Sequence, residues 1–256
     1  MRQSLLPNTI AWCRLLTAIG LPLLLLTTGQ VMSQEEEFAA WVSDFRQTAL
    51  DEGISPETLD AVLPGLTFRS RVVELDRRQP EGTLTYAEYM SRVLPPARVN
   101  RGKRLLRKHR AVLAEISEAY GVQARFIVAL WGIESDFGRV TGGFPVLDSL
   151  ATLAFDGRRG KFFRGQLLHA LRIVDDGHIQ PDAMLGSWAG AMGQSQFMPS
   201  SFHQFAVDHD GDGRRDIWGT LPDVFASAAN YLARAGWKGD ETWGRQVRLP
   251  DGFDGA

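Results

Sequence analysis

The sequence predicts a mainly α fold, with α+β as the outer limit. Three observations carry this. Apolar residues recur at three- and four-residue spacing through most of the chain. Strong apolar/polar alternation of strand length is missing. Several periodic stretches end at proline or glycine, as at Pro95-Pro96, Gly121 and Gly236.

The chain opens with a segment of targeting character. Arg2 and Arg14 are its only charges before Glu35, and Leu15 to Leu26 is an apolar run. Such a run is short for a bilayer span and suits a signal-peptide core. Val31-Met32-Ser33 offers small residues for cleavage after Ser33, so residues 1–33 are expected to be a signal peptide, with a retained anchor as the alternative. Export into the periplasm is the expectation. Cys13 precedes the apolar core, where a lipoprotein cysteine would follow it.

Phe38, Trp41, Val42 and Phe45 give 35–50 a helical stripe. Ser55-Pro56-Glu57 caps a short helix reaching Val62. Residues 66–82 are less regular. Thr85–Leu94 is helical in pattern and stops at Pro95-Pro96. The pattern over 97–120 predicts one long charged helix ending at Gly121. From Phe126 to Ile133 the chain is apolar on every helical face, which predicts a buried helix. Helices are expected over 145–155 and 161–174, and a last one over 223–235, capped by Asp223. The expected organisation is an N-terminal helical subdomain over 34–120, a core over 121–245 and a tail over 246–256.

Composition narrows the function. With 256 residues, 44% hydrophobic and 23% charged, the chain is of globular type. Lys+Arg 28 against Asp+Glu 30 leaves a formal charge of −2, so no basic excess drives it onto nucleic acid. One cysteine excludes a disulfide framework and a cysteine-based zinc site.

Glu134 is the residue physics singles out. It closes the most apolar helix, beside Trp131, where desolvation raises a carboxyl pKa and suits it to general acid work. Residue pattern alone leaves open a structural role, with Glu134 paired to Arg139 or Arg158. Asp136, two positions on, points to another helix face. The five histidines, at 109, 169, 178, 203 and 209, show no metal-ligand spacing and read as surface or loop residues. Trp237 and Trp243 read mainly as packing residues.

Asp208-His209-Asp210-Gly211-Asp212-Gly213-Arg214-Arg215-Asp216 places aspartates at positions 1, 3, 5 and 9 of a calcium loop, with Gly213 at the turn position 6. Arg214 would offer its carbonyl at position 7. Arg215 at position 8 and Gly219 at position 12 depart from that pattern. A solvated acidic turn, with Asp223 as a simple cap, is the alternative.

Trp131-Gly132-Ile133-Glu134-Ser135-Asp136-Phe137-Gly138 resembles the catalytic segment of the membrane-bound lytic murein transglycosylase B family. The resemblance continues through Gly142–Asp148, Asp156–Arg159, Gly186–Ser200 and Ser227–Tyr231, with Gln79-Pro80-Glu81 upstream. It implies a lysozyme-like helical core and cleavage of the β-1,4 bond between N-acetylmuramic acid and N-acetylglucosamine in peptidoglycan glycan strands. It implies Glu134 as acid/base, and Ser187, Gln196 and Tyr231 near the scissile bond. Arg158 and Arg159 would lie near the lactyl or peptide part. Asp223 is similar to the last carboxylate of a longer calcium loop, so the implied metal set is Asp208, Asp210, Asp212, Arg214 and Asp223. No cofactor is implied for the chemistry, and any calcium is structural. Cell-wall synthesis or remodelling proteins are the expected protein partners. Relatives continue into a tyrosine-bearing segment that lines the sugar groove. This chain ends at Ala256, so a truncated or more open groove is expected. A hydrolytic muramidase and a non-catalytic calcium-stabilised wall-binding protein are the competing readings.

Overall fold

A computed structural model describes residues 33–78, 85–241, 244 and 246–253. The expected signal segment up to residue 32, Gln79-Pro80-Glu81 and Trp243 lie outside the described residues. Helix α1 (Gln34–Asp51) starts in a capping box, in which Ser33 and Glu36 each satisfy the other's backbone N–H. It buries Phe38, Val42, Phe45 and Ala49. Helix α2 (Pro56–Val62) is capped by Ser55, whose hydroxyl accepts from the Thr58 N–H. Helix α3 (Ser70–Arg77) forms in the stretch that reads as irregular; it is held by buried Val72, Val73 and Asp76.

Helix α4 (Tyr86–Val93) has its own capping box at Thr85 and Glu88 but buries no residue. The single helix expected over 97–120 is two, α5 (Pro96–Lys108) and α6 (Arg110–Tyr120). The break is His109, at φ −101° and ψ 20°. Its ring packs edge-on to Trp131 and Phe225. That tertiary contact takes His109 out of the helical path and turns α6 toward the last helix. Its imidazole pKa is lowered by desolvation.

Helix α7 (Ala124–Ser135) is not buried all round. Ile127, Val128, Trp131, Gly132 and Ser135 face inward, while Ile133 is 49% exposed. The enveloped helix is α8 (Val146–Asp156), buried at every position from Val146 to Ala154. It follows a two-residue strand, β1 (Phe144–Pro145), which pairs antiparallel with β2 (Leu185–Gly186) in the register Phe144 to Gly186. Helices α9 (Gly160–Asp175), α10 (Pro199–Phe205) and α11 (Leu221–Arg234) complete the set.

Two apolar cores result. One joins α1, α2 and α3 to α8, α9 and α10. The other joins α6, α7 and α11 around Leu113, Ile116, Trp131 and Phe225. Each core draws on residues both before and after position 120. Helix α7 and the segment 186–198 therefore meet along the line where the two cores abut.

Candidate active site

Glu134 sits in the last turn of α7. It is solvent-accessible, contrary to the buried position its apolar helix suggests, because its face of the helix looks away from both cores. Surrounding protein still strips part of its hydration and pushes the carboxyl above the usual glutamate range. The arginines weighed as partners are engaged elsewhere. Arg139 pairs with Asp136 and Arg158 with Asp76. Glu134 makes no ion pair or hydrogen bond through its carboxylate among the described residues.

The turn after Glu134 is sharp. Asp136 and Phe137 both adopt left-handed backbone conformations, with φ of 48° and 63°. For residues other than glycine this is strained, and it persists only where surroundings over-determine it. Here Arg98, Arg101 and Arg139 converge on the Asp136 carboxylate at 3.0–3.3 Å. The Phe137 ring folds back over Gly132, where an added Cβ would lie 2.7 Å from it. Gly132 is thus the one residue type that lets the chain turn back at the end of α7.

The loop beyond the turn reaches the segment 186–198. A Cβ at Gly142, itself at φ +95°, would overlap the Gly186 carbonyl. Gln196, at φ 48°, donates through Nε2 to the carbonyls of Thr141 at 3.1 Å and Gly193 at 2.9 Å. Its Oε1 has no protein donor among the described residues. The Ser187 hydroxyl accepts from the Ala191 N–H at 3.0 Å and keeps its own proton for another acceptor. Tyr231 is 38% exposed and rests its ring on Phe197 and Phe205. The fold thus brings Ser187, Gln196 and Tyr231 to the 186–198 segment and its surroundings, on which the Glu134 turn abuts.

Arg158 and Arg159 stand apart. They follow the far end of α8, roughly 16 Å along its axis from β1. Both guanidinium groups grip Asp76, Arg158 at 2.5 and 2.6 Å and Arg159 at 2.8 Å. Asp76 is buried, and the Arg158 guanidinium beside it holds its carboxyl below the usual aspartate range. Roughly half of each arginine side chain remains exposed.

Residues that sequence reasoning missed hold the site together. Gln194 is buried and accepts from Trp131 Nε1 at 2.8 Å, while its own amide donates to the Trp218 carbonyl at 2.8 Å. The signal available was a second glutamine beside Gln196 in a stretch otherwise made of small and apolar residues.

In the acidic loop, carboxylate oxygens of Asp208, Asp210 and Asp212 lie within 4.8 Å of one another. Asp208 accepts the N–H groups of Gly211 and Gly213. Three converging carboxylates are a hard all-oxygen donor set, which fits calcium. Arg214 also lays its guanidinium on Asp212 at 3.1 Å. Asp216 is engaged by the Trp218 and Gly219 N–H groups and the Thr220 hydroxyl. Asp223 is outside the cluster. It is fully buried in the first turn of α11 and accepts the His209 and Asp216 N–H groups, both at 2.8 Å. It therefore does not cap α11; Thr220 occupies that position. Burial pushes the Asp223 carboxyl up, with the backbone donors opposing.

The histidines are less peripheral than their scatter suggests. His178 accepts the Arg215 N–H and packs on Phe202, and His203 Nε2 meets the His169 carbonyl. Trp237 packs on Phe126 and donates to Gln123.

The family model for the transglycosylase SLT domain matches residues 37–256. The chain belongs to this family. Membrane-bound lytic murein transglycosylase B of Escherichia coli K12 is 38% identical over 174 residues, covering 66% of this chain and 48% of that protein. Transglycosylase-domain structures superpose on it well. SltB3 of Pseudomonas aeruginosa, solved with NAG-NAM-pentapeptide and with NAG-anhNAM-pentapeptide, gives a TM-score of 0.83 at 47% identity, covering 87% of this chain and 59% of that one. Slt35 of Escherichia coli, solved in complex with calcium, gives 0.70 at 32% identity, covering 82% and 66%. The chain thus spans about half the length of the curated relative it matches, and the lysozyme-like helical fold of the family is its own.

Proposed function

We propose that this chain is a peptidoglycan lytic transglycosylase that cuts the β-1,4 bond between N-acetylmuramic acid and N-acetylglucosamine. The observation that carries this reading is Glu134: accessible, unpaired among the described residues and raised in pKa, at a turn bonded through Ser135 to the segment that carries Gln196 and Ser187. No second carboxylate is needed if the substrate supplies its own stabiliser. Glu134 donates its proton to the departing glycosidic oxygen as the bond to the muramic C1 breaks. The 2-acetamido oxygen of the same sugar stabilises the positive charge at C1. The Glu134 carboxylate then takes the proton of the muramic 6-hydroxyl, and O6 bonds to C1. The product is a 1,6-anhydromuramic end, and no water is consumed. The second step is intramolecular and gains from proximity. The SltB3 complex with NAG-anhNAM-pentapeptide supports this reading by analogy.

Ser187, the free Oε1 of Gln196 and the Tyr231 ring are suited to hold the sugars. The outward N–H groups of Arg158 and Arg159 suit carboxylates of a lactyl or peptide group. Asp208, Asp210 and Asp212, with the Arg214 carbonyl, would hold a structural calcium, and the chemistry needs no cofactor. Action in the periplasm, after export by residues 1–33, completes the reading. None of the described helices is long and apolar enough to cross a membrane.

Mass spectrometry of muropeptides released from sacculi in ¹⁸O-labelled water tests the proposal. Anhydro ends without label are expected. Labelled reducing muramic ends would make the protein a hydrolytic muramidase, and no release at all would leave a wall-binding role.

A further inference from the structure

We infer that the face formed by α5 and the outer side of α7 docks on an anionic phospholipid bilayer. Helix α5 carries Arg98, Arg101, Lys103, Arg104, Arg107 and Lys108 and no acidic residue, in a chain whose formal charge is −2. Arg98 and Arg101 are used up on Asp136. The other four make no ion pair or side-chain hydrogen bond among the described residues, and all four are exposed.

This charge borders an apolar groove. A cavity of about 240 Å³ opens between α5 and α7, floored by Val99, Leu106, Val128 and Phe137, with Lys103 and Arg125 on its rim. Leu94, Val99 and Ile133 beside it are 40–49% exposed. Helix α4 continues the surface. Its apolar positions Tyr86, Tyr89, Met90 and Val93 follow i, i+3, i+4, i+7 spacing, yet the helix buries nothing, and Tyr86 is 78% exposed. The Val93 carbonyl is bonded to Arg98, which ties the end of α4 to α5.

An apolar strip edged by cations of one sign, with tyrosines alongside, matches the boundary between headgroups and acyl chains. The cavity has room for a short hydrocarbon segment, and the cations on its rim favour an anionic headgroup beside it. Unpaired lysines and arginines supply attraction to anionic lipid of roughly fivefold in binding per residue. The surface lies on a different side of α7 from Glu134, so docking leaves the candidate site open.

Flotation of the full chain with vesicles tests this. Phosphatidylcholine vesicles measure attachment through the apolar run Leu15–Leu26, which does not depend on headgroup charge. The increment on adding phosphatidylglycerol measures the charge-dependent part, to which Arg2 and Arg14 also contribute, so the α5 share is what Lys103→Gln/Arg107→Gln removes. A clear increment is expected for the wild type. It should fall roughly 25-fold in Lys103→Gln/Arg107→Gln, fall in Val99→Ser, and vanish in high salt. Melting temperature and turnover of soluble muropeptides should stay unchanged in these variants. A wild type without an increment, or an increment kept in Lys103→Gln/Arg107→Gln, overturns the inference. So does a loss confined to co-sedimentation with purified sacculi, which would make the face a wall-polymer surface.

Discussion

Trp131 and Gln194, 63 positions apart, are joined by a buried hydrogen bond of 2.8 Å from indole Nε1 to the amide oxygen. The Gln194 backbone carbonyl also accepts from the Ser135 hydroxyl at 2.8 Å, and that hydroxyl receives the Gly138 N–H at 3.0 Å. Residues three before and one after Glu134 therefore hang on one glutamine. The Gln194 side-chain amide in turn donates to the Trp218 carbonyl, and its backbone N–H to the Ile217 carbonyl, just past the acidic loop. A chain of direct contacts thus runs from that loop to the turn that carries the candidate acid.

Replacing Gln194 by Leu should reveal this link. The Trp131 N–H would be left buried without a partner, at about 1–3 kcal/mol, and the part-buried Trp218 carbonyl would lose its donor. Thermal melts should show the loss. Turnover of soluble muropeptides should fall more than KM rises, since a small displacement of Glu134 spoils its aim at the glycosidic oxygen. An unchanged kcat in a folded variant would detach Gln194 from the site.

Glu134→Gln should lower cleavage by at least about a hundredfold, the scale of general acid catalysis. Stability should respond with the opposite sign. Partial desolvation raises the folded pKa, so the group is most favourable to the fold below the ordinary glutamate pKa, and that contribution is lost as pH rises through the raised value. The Gln variant should therefore melt slightly above the wild type near neutral pH, with the gap closing in acid. Melts across that range check it, and wild-type cleavage by the variant would remove Glu134 as the acid.

Much of this was legible in the sequence because it is local. Ser55-Pro56, Thr85 and Pro95-Pro96 mark helix ends through their own backbone chemistry. The break at His109 was not, since the apolar pattern runs on and only Trp131 and Phe225 draw the ring aside. Glu134 reads as an acid from its apolar helix, but periodicity cannot tell which face meets a core and which meets solvent. Arg158 and Arg159 read as ligands for carboxylates, and the carboxylate they hold in the fold is Asp76, far away in sequence. Asp223 reads as a cap, and its true partners are loop N–H groups that the chain brings back only on folding.

Asp76→Asn should destabilise the protein by roughly 1–3 kcal/mol near neutral pH, less than a fully buried pair because the arginines are half exposed. The hydrogen bond from Arg158 lowers the folded pKa, so this stability is present above the ordinary aspartate pKa and is lost as pH falls through the depressed one. The difference between variant and wild type should narrow in strong acid. Denaturant titrations at neutral and acid pH measure it, and a constant difference would mean that packing, not charge, is what Asp76 contributes.

The acidic loop separates ligand from clamp. Asp208, Asp210 and Asp212 converge on one point, whereas Asp223 is occupied by the His209 and Asp216 N–H groups. Calcium should raise the melting temperature of the wild type, since binding to the folded state alone stabilises it, and magnesium should do less because it demands a tighter octahedron. Asp212→Asn removes an exposed carboxylate and should leave the melt in chelator close to wild type while shrinking the calcium shift. Asp223→Ala leaves two N–H groups without acceptors and should lower the melt in chelator by about 1–3 kcal/mol. The comparison in each variant is calcium against chelator. If Asp223→Ala alone loses the calcium shift and Asp212→Asn keeps it, the ion sits on Asp223 and the three-carboxylate cluster is a solvated turn. If the wild type shows no shift, the loop binds no calcium and is held by Asp223 through its backbone bonds.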